Sequence, residues 1–141
     1  NLQKFHRINK KKITELVKNI LKAEEADAEL NVVFVNNKKI KEMNNAFLGH
    51  NYATDVLSFA YEKGEKPKSN ITGEIVISAE MAARLARKQG HAVEGELALY
   101  LTHGLLHLLG YNDKRKHEAK KMHQRERVLL TNFGYNVPVP E

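Results

Sequence analysis

Apolar residues recur at three- and four-residue steps between Lys10 and Ala26: Ile13, Leu16, Val17, Ile20 and Leu21, with Glu24 continuing the stripe. That rhythm predicts an amphipathic helix with one buried face. Leu30 to Val35 replaces it with a short Val-rich run, which predicts a buried strand. Asn37 to Phe47 returns to the helical period, with Ile40, Met43 and Phe47 on one side. Asp55 to Tyr61 and Gly73 to Ser78 predict two further strands. The polar stretch Gly64 to Asn70 between them reads as a loop rather than a linker. Ser78 is placed to cap a helix that Gly90 closes. Val93 to Leu109 is apolar on most sides, as expected of a central helix. Lys116 to Asn132 predicts a last helix, before a tail containing Pro138 and Pro140, and Leu2 to Ile8 is a candidate extra strand. The sum is an α+β fold: a small mixed sheet of three to four strands covered by about five helices.

The central helix carries a narrow polar line, Glu96, Tyr100, His103 and His107, spaced by four, three and four residues. Those steps place the four on one face. His103 and His107 stand one turn apart, roughly 6 Å along the axis, so both imidazoles can reach one metal ion. Gly110 can then reverse the chain, and Tyr111 and Asn112 carry the turn. Asp113 is thereby brought back toward His107 as a third ligand, so the central helix and its following loop form the metal site. Two imidazoles and a carboxylate leave one position open, the arrangement of a catalytic zinc site. His117, four residues beyond Asp113, is the alternative third ligand. The pattern from His103 to Asp113 resembles the H-E-x-x-H-x-x-G-x-x-H of zinc peptidases. Gly104 stands in place of their glutamate, which removes the general base such enzymes use. Glycine within a helix costs about 1 kcal/mol relative to alanine. A close backbone approach by substrate or by a neighbouring strand would explain it.

Composition narrows the chemistry. The 141 residues are 42% hydrophobic and 28% charged, which predicts one globular domain over residues 1–141. No apolar run approaches the ~18 residues of a membrane span, and Asn1 to Lys12 lacks the apolar stretch of a secretory signal. The chain has no cysteine, which excludes a disulfide-linked partner, thiolate metal sites and a Cys nucleophile, and fits a cytoplasmic location. A formal charge of +6 favours acidic partners such as nucleic acid, although a Lys-rich solvated surface gives the same number. Much of it lies beyond the metal motif, in Lys114, Arg115, Lys116, Lys120, Lys121, Arg125 and Arg127. Ala119, Met122, Leu129 and Phe133 give that helix an apolar face on which to dock.

The run Thr102-His-Gly-Leu-Leu-His-Leu-Leu-Gly-Tyr111 resembles the signature of the bacterial YbeY-like family. Thr54-Asp-Val-Leu-Ser-Phe59 and the strand Gly73-Glu-Ile-Val-Ile77 match two further segments of that family. The resemblance covers most of the chain, from about Leu30 to Gly134. It implies a single-strand-specific, zinc-dependent endoribonuclease with one zinc ion per chain. It also implies a role in rRNA maturation, 16S 3′-end processing and ribosome quality control, with rRNA and the ribosome as partners. Two positions depart from the family. Its motif usually ends in a third histidine, where this chain has Asp113, and its Arg before T-D-V-L-S-F is replaced by Leu48. The carboxylate makes the site one charge more negative and should raise the pKa of bound water above the ~7 of a three-histidine site. His50, or a Lys or Arg from elsewhere, is a candidate to replace the missing Arg.

With Asp113 spent on the metal, no carboxylate of the motif is free to act as a base. Asp55 and Ser58 are candidates to face the site, or else to serve structurally near the strand start. Glu96 and Tyr100 are candidates to orient the histidines. Lys114, Arg115, Lys116 and Lys120 are candidate RNA contacts beside the metal loop. Two other readings stand beside the nuclease: a metal-dependent hydrolase of another substrate such as peptide, and a non-catalytic ribosome- or RNA-binding factor with a structural metal.

Overall fold

The computed structural model describes residues 1, 3–62, 64–66 and 68–139. The described residues form α1 (Lys10–Ala23), β1 (Ala28–Val35), α2 (Asn37–Leu48), β2 (Val56–Glu62), β3 (Ile71–Ser78), α3 (Ala79–Gln89), α4 (Val93–Leu108) and α5 (Lys116–Asn132). The three strands lie in the order β1-β3-β2, with β1 parallel and β2 antiparallel to β3. The sheet is therefore mixed, and the fold is α+β as the residue pattern predicts.

β3 sits at the centre of the sheet and is buried on both faces. Ile75 and Ile77 pack with Leu16 and Ile20 of α1 and with Leu101 and Leu105 of α4. Val76 points the other way, toward Val35, Leu57 and Ile40 of α2. This is the two-residue alternation of a strand serving two layers. α4 runs through the larger core, and nearly every residue from Gly95 to Leu108 is buried except the two histidines. Ser78 caps α3 by accepting from the Met81 amide, and Gly90 ends it with φ +74°. Among the described residues no helix is long and apolar enough to cross a membrane.

The extra N-terminal strand does not form. Leu2 lies outside the described residues, and residues 3–8 follow bends without strand pairing. The Gln3 carboxamide explains this: its oxygen accepts from the amides of Phe5 and His6, and its nitrogen donates to the His6 carbonyl. A side chain that satisfies the local backbone in this way curls it and removes the need for a sheet partner. Pro140 also lies outside the described residues.

Candidate metal centre

Gly104 lies between the two histidines of α4, where the helix presses on the sheet. A Cβ there would meet Ser58 Oγ and Val56 Cγ2 at 2.9 Å and Ile75 Cγ2 at 3.0 Å. Only glycine admits that approach. Ser58 uses it, donating its hydroxyl to the Gly104 carbonyl at 2.9 Å and tying β2 to the histidine turn. The neighbouring strand, rather than a substrate, accounts for the glycine. His103 and His107 flank it on the same helix, with ring centroids 4.6 Å apart.

Gly110 follows α4 with φ +104°, a conformation that residues with a side chain rarely adopt. The Tyr111 amide donates back to the Leu106 carbonyl at 3.0 Å, so the chain reverses tightly. Asp113 Oδ2 comes to 3.5 Å from His103 Nε2 and 3.4 Å from His107 Nε2. The two Nε2 atoms are 3.1 Å apart. Ligands at ~2.0–2.1 Å on a tetrahedral ion are separated by about 3.3 Å. The triangle of donor atoms therefore has the dimensions of one face of such a tetrahedron.

Proton placement leads to the same point. His107 Nδ1 lies 3.1 Å from the Tyr111 carbonyl oxygen, which can only accept, so Nδ1 carries the proton. His103 Nδ1 lies 2.6 Å from Glu126 Oε1, on a carboxylate with no exposure to solvent. Both Nε2 lone pairs then face each other and the Asp113 carboxylate, an arrangement that repels unless a cation sits among them. Burial pushes the His103 pKa down, but the bond and charge of Glu126, with the charges of Asp55 and Asp113, outweigh it and raise it overall. A field that favours a proton on this ring favours a metal cation beside it. A second group, His103, His123 and Glu126, also has donor atoms close enough to hold an ion. In it Glu126 is already engaged, accepting from His103 through Oε1 and from His123 Nδ1, at 3.1 Å, through Oε2.

The turn that carries Asp113 is anchored from a distance. Glu24, at the end of α1, is 5% exposed. It accepts from the Tyr111 hydroxyl at 2.7 Å, from Arg125 Nε at 2.7 Å and Nη2 at 2.6 Å, and from Lys68 Nζ at 3.3 Å. Burial raises the Glu24 pKa, but these bonds and charges more than compensate and lower it overall. Arg125 thus turns inward instead of joining the cationic surface.

The other candidates fall in different places. Asp55 holds the start of β2, its Oδ1 accepting from the Val56 amide and the Thr54 hydroxyl. Glu96 pairs with His91 at 3.1 Å, and among the described residues it forms no hydrogen bond or ion pair with His103 or His107. Its carboxyl is pushed up by burial and by Asp55, against the pull of His91 and Tyr100. The Tyr100 hydroxyl is pushed up by burial and by the Glu96 charge. The orienting groups are instead Glu126 and the Tyr111 carbonyl. His117 is exposed and belongs to neither donor group. Lys114, Arg115, Lys116 and Lys120 are exposed beside the loop. Leu48 and His50 are exposed, and His50 stacks on Tyr52. Sequence reasoning missed Glu126 and His123. Glu126 had a signal: it lies four residues after Met122 and three before Leu129, inside the apolar stripe of α5. A carboxylate in a buried stripe requires a partner.

Known proteins are similar to this chain over most of its length. The family model described as Endoribonuclease YbeY matches residues 1–134. A protein of Staphylococcus carnosus named Endoribonuclease YbeY is 39% identical over 115 residues, 78% of this chain and 75% of its own. One of Anaeromyxobacter sp. with the same name is 45% identical over 110 residues, 77% of this chain and 56% of its own. The solution structure of TM1509 from Thermotoga maritima superposes with a TM-score of 0.60 at 28% identity, covering 91% of this chain and 87% of that one. The chain belongs to the Endoribonuclease YbeY family.

Proposed function

We propose that this chain is a zinc-dependent endoribonuclease that cleaves single-stranded RNA during rRNA maturation, with one zinc ion held by His103, His107 and Asp113. The observation that carries this reading is the convergence of His103 Nε2, His107 Nε2 and Asp113 Oδ2 at mutual distances of 3.1–3.5 Å. This group is favoured over the one containing His123 because the Asp113 side chain is 39% exposed, which leaves a face open to substrate. Glu126 has no exposed surface and serves better as the partner of a ligand than as a ligand.

Bound zinc supplies Lewis acidity that activates water or a ribose 2′-hydroxyl and offsets charge at phosphorus. The protein does the rest. Glu126 keeps a proton on His103 Nδ1, and the Tyr111 carbonyl keeps one on His107 Nδ1. Lys114, Arg115, Lys116 and Lys120 offer charges along which a phosphate backbone can pass.

Purified protein should contain about one zinc per chain, and Asp113→Ala should weaken its binding beyond the roughly 10–100-fold typical of outer residues. A metal-free wild-type protein that cleaves RNA at full rate overturns the reading. The peptidase alternative is disfavoured because the sheet fills the space a glutamate at position 104 would need. The binding-only alternative fails if His103→Ala abolishes RNA cleavage yet leaves folding and RNA binding intact, which is the outcome this reading expects.

A further inference from the structure

Among the described residues six large apolar side chains are exposed, and three of them, Phe47, Leu48 and Tyr52, lie within six residues of sequence. Apolar groups clustered at the surface in this way mark a contact site. The cluster is held in place. Phe47 packs edge-to-face on Phe59 at 5.4 Å, and the His50 and Tyr52 rings are stacked, 5.4 Å apart and 11° from parallel. The Tyr52 hydroxyl lies 3.3 Å from His50 Nδ1. Buried Asn44 fixes the backbone beneath. Its carboxamide nitrogen donates to the Tyr52 carbonyl at 3.0 Å, and its own carbonyl accepts from the His50 amide at 3.3 Å.

From Tyr52 the chain runs to the surroundings of the donor triangle. Asp55, three residues on, lines one cavity together with His103. Val56 lies against Gly104, between the two histidines of α4. Three residues of extended chain reach at most about 11 Å, so the stacked pair stands close to that point. In the other direction Lys38, Lys41, Asn45 and Leu48 are exposed on α2 at steps of three, four and three, which puts them in one stripe without a carboxylate. Cations in a row leading to flat, exposed rings suit a polyanion that carries flat apolar groups. Single-stranded nucleic acid is such a polyanion.

We propose that the stacked His50–Tyr52 pair is a platform for one unpaired base of the RNA, a few nucleotides from the bond being cut, with the phosphates beyond it passing toward Lys41 and Lys38. The proposal rests on the nuclease reading for its ligand class. Every base has a π-face, so stacking grips a strand without reading its sequence. In a duplex those faces are already covered by neighbouring bases, so the platform engages single strands and leaves paired RNA alone. Because the two rings are stacked before the strand arrives, little ordering is left for binding to supply.

The test uses zinc-loaded protein and a short 2′-O-methyl RNA carrying 2-aminopurine, whose fluorescence falls when the base stacks, at each position in turn. Wild type should quench the probe at one position. Tyr52→Ala should abolish that quenching and weaken binding about tenfold, whereas Tyr52→Phe should keep both. Asn44 bonds to the Tyr52 main chain, so both variants should retain the loop, the zinc content and the circular dichroism spectrum. On cleavable single-stranded RNA, Tyr52→Ala should raise KM about tenfold and move kcat far less. Removing the base at the quenched position should erase the difference between wild type and Tyr52→Ala. The proposal is overturned if Tyr52→Ala quenches and binds as wild type does, or if its loss persists on the abasic strand. Quenching by a wild-type protein that cuts no RNA would sink the nuclease reading and support the platform. Normal cleavage with an unchanged KM in Tyr52→Ala would sink the platform alone.

Discussion

His103 and Asp113 reach the same point from opposite kinds of structure. His103 stands on a helix packed into the core, and its far ring nitrogen is held by the fully buried Glu126. Asp113 stands on an irregular turn, its side chain 39% exposed. The turn is held in turn by Tyr111, whose hydroxyl bonds to Glu24 on α1 and whose carbonyl bonds to His107. The helical donor is positioned by its own element and one neighbour. The loop donor owes its position to a side chain far away in the sequence, Glu24. An exposed donor group can be as well placed as a buried one, provided the anchor lies elsewhere.

The largest effect should come from the helical side. His103→Ala should lose zinc and reduce cleavage to background while the circular dichroism spectrum stays native; cleavage at the wild-type level would sink the assignment. Glu126→Gln keeps the shape but removes the charge facing His103 and His123. Zinc affinity, measured against a competing chelator, should fall by about 10–100-fold. The loop side should be softer. Tyr111→Phe should weaken zinc by less than Glu126→Gln, and Glu24→Gln combined with it should add little, because both act through one bond. Fully additive losses would break the proposed coupling.

Acid should act on the same anchor. The folded Glu24 pKa lies below its ordinary value of 4.5, so the folded state binds that proton more weakly than the unfolded chain. Its contribution to stability is present above that ordinary value and is lost as pH falls through the lowered folded pKa. Urea denaturation of metal-free protein should therefore show a gap between wild type and Glu24→Gln at neutral pH that closes in acid. The smallest effect is expected at Gly104→Ala. Overpacking against Ser58, Val56 and Ile75 costs about 1–3 kcal/mol, partly offset by roughly 1 kcal/mol of helix propensity. Thermal unfolding should register a net loss.

Most of the scaffold was legible in the chain because it follows local periodicity. Ile13, Leu16 and Ile20 mark α1, and the all-round apolar pattern marks α4 as central. The donor triangle was readable because its three members lie within eleven residues, from His103 to Asp113. What supports the triangle was not. Glu126 and Glu24 both sit in apolar stripes, where spacing records that a residue is buried but not what it meets. Glu24 finds Tyr111 and Arg125 only through tertiary packing. Leu2 to Ile8 failed for the opposite reason: a local bond from Gln3 overrode a weak strand pattern.

The Glu24 junction also bears on the order of events during synthesis. It closes contacts across 44, 87 and 101 residues, to Lys68, Tyr111 and Arg125. Loops of that span form only after both ends of the polypeptide have collapsed together. A nascent chain still missing its last helix would lack the Arg125 bonds to Glu24 and the Glu126 partner of His103, which ties competence to cut to completion of folding.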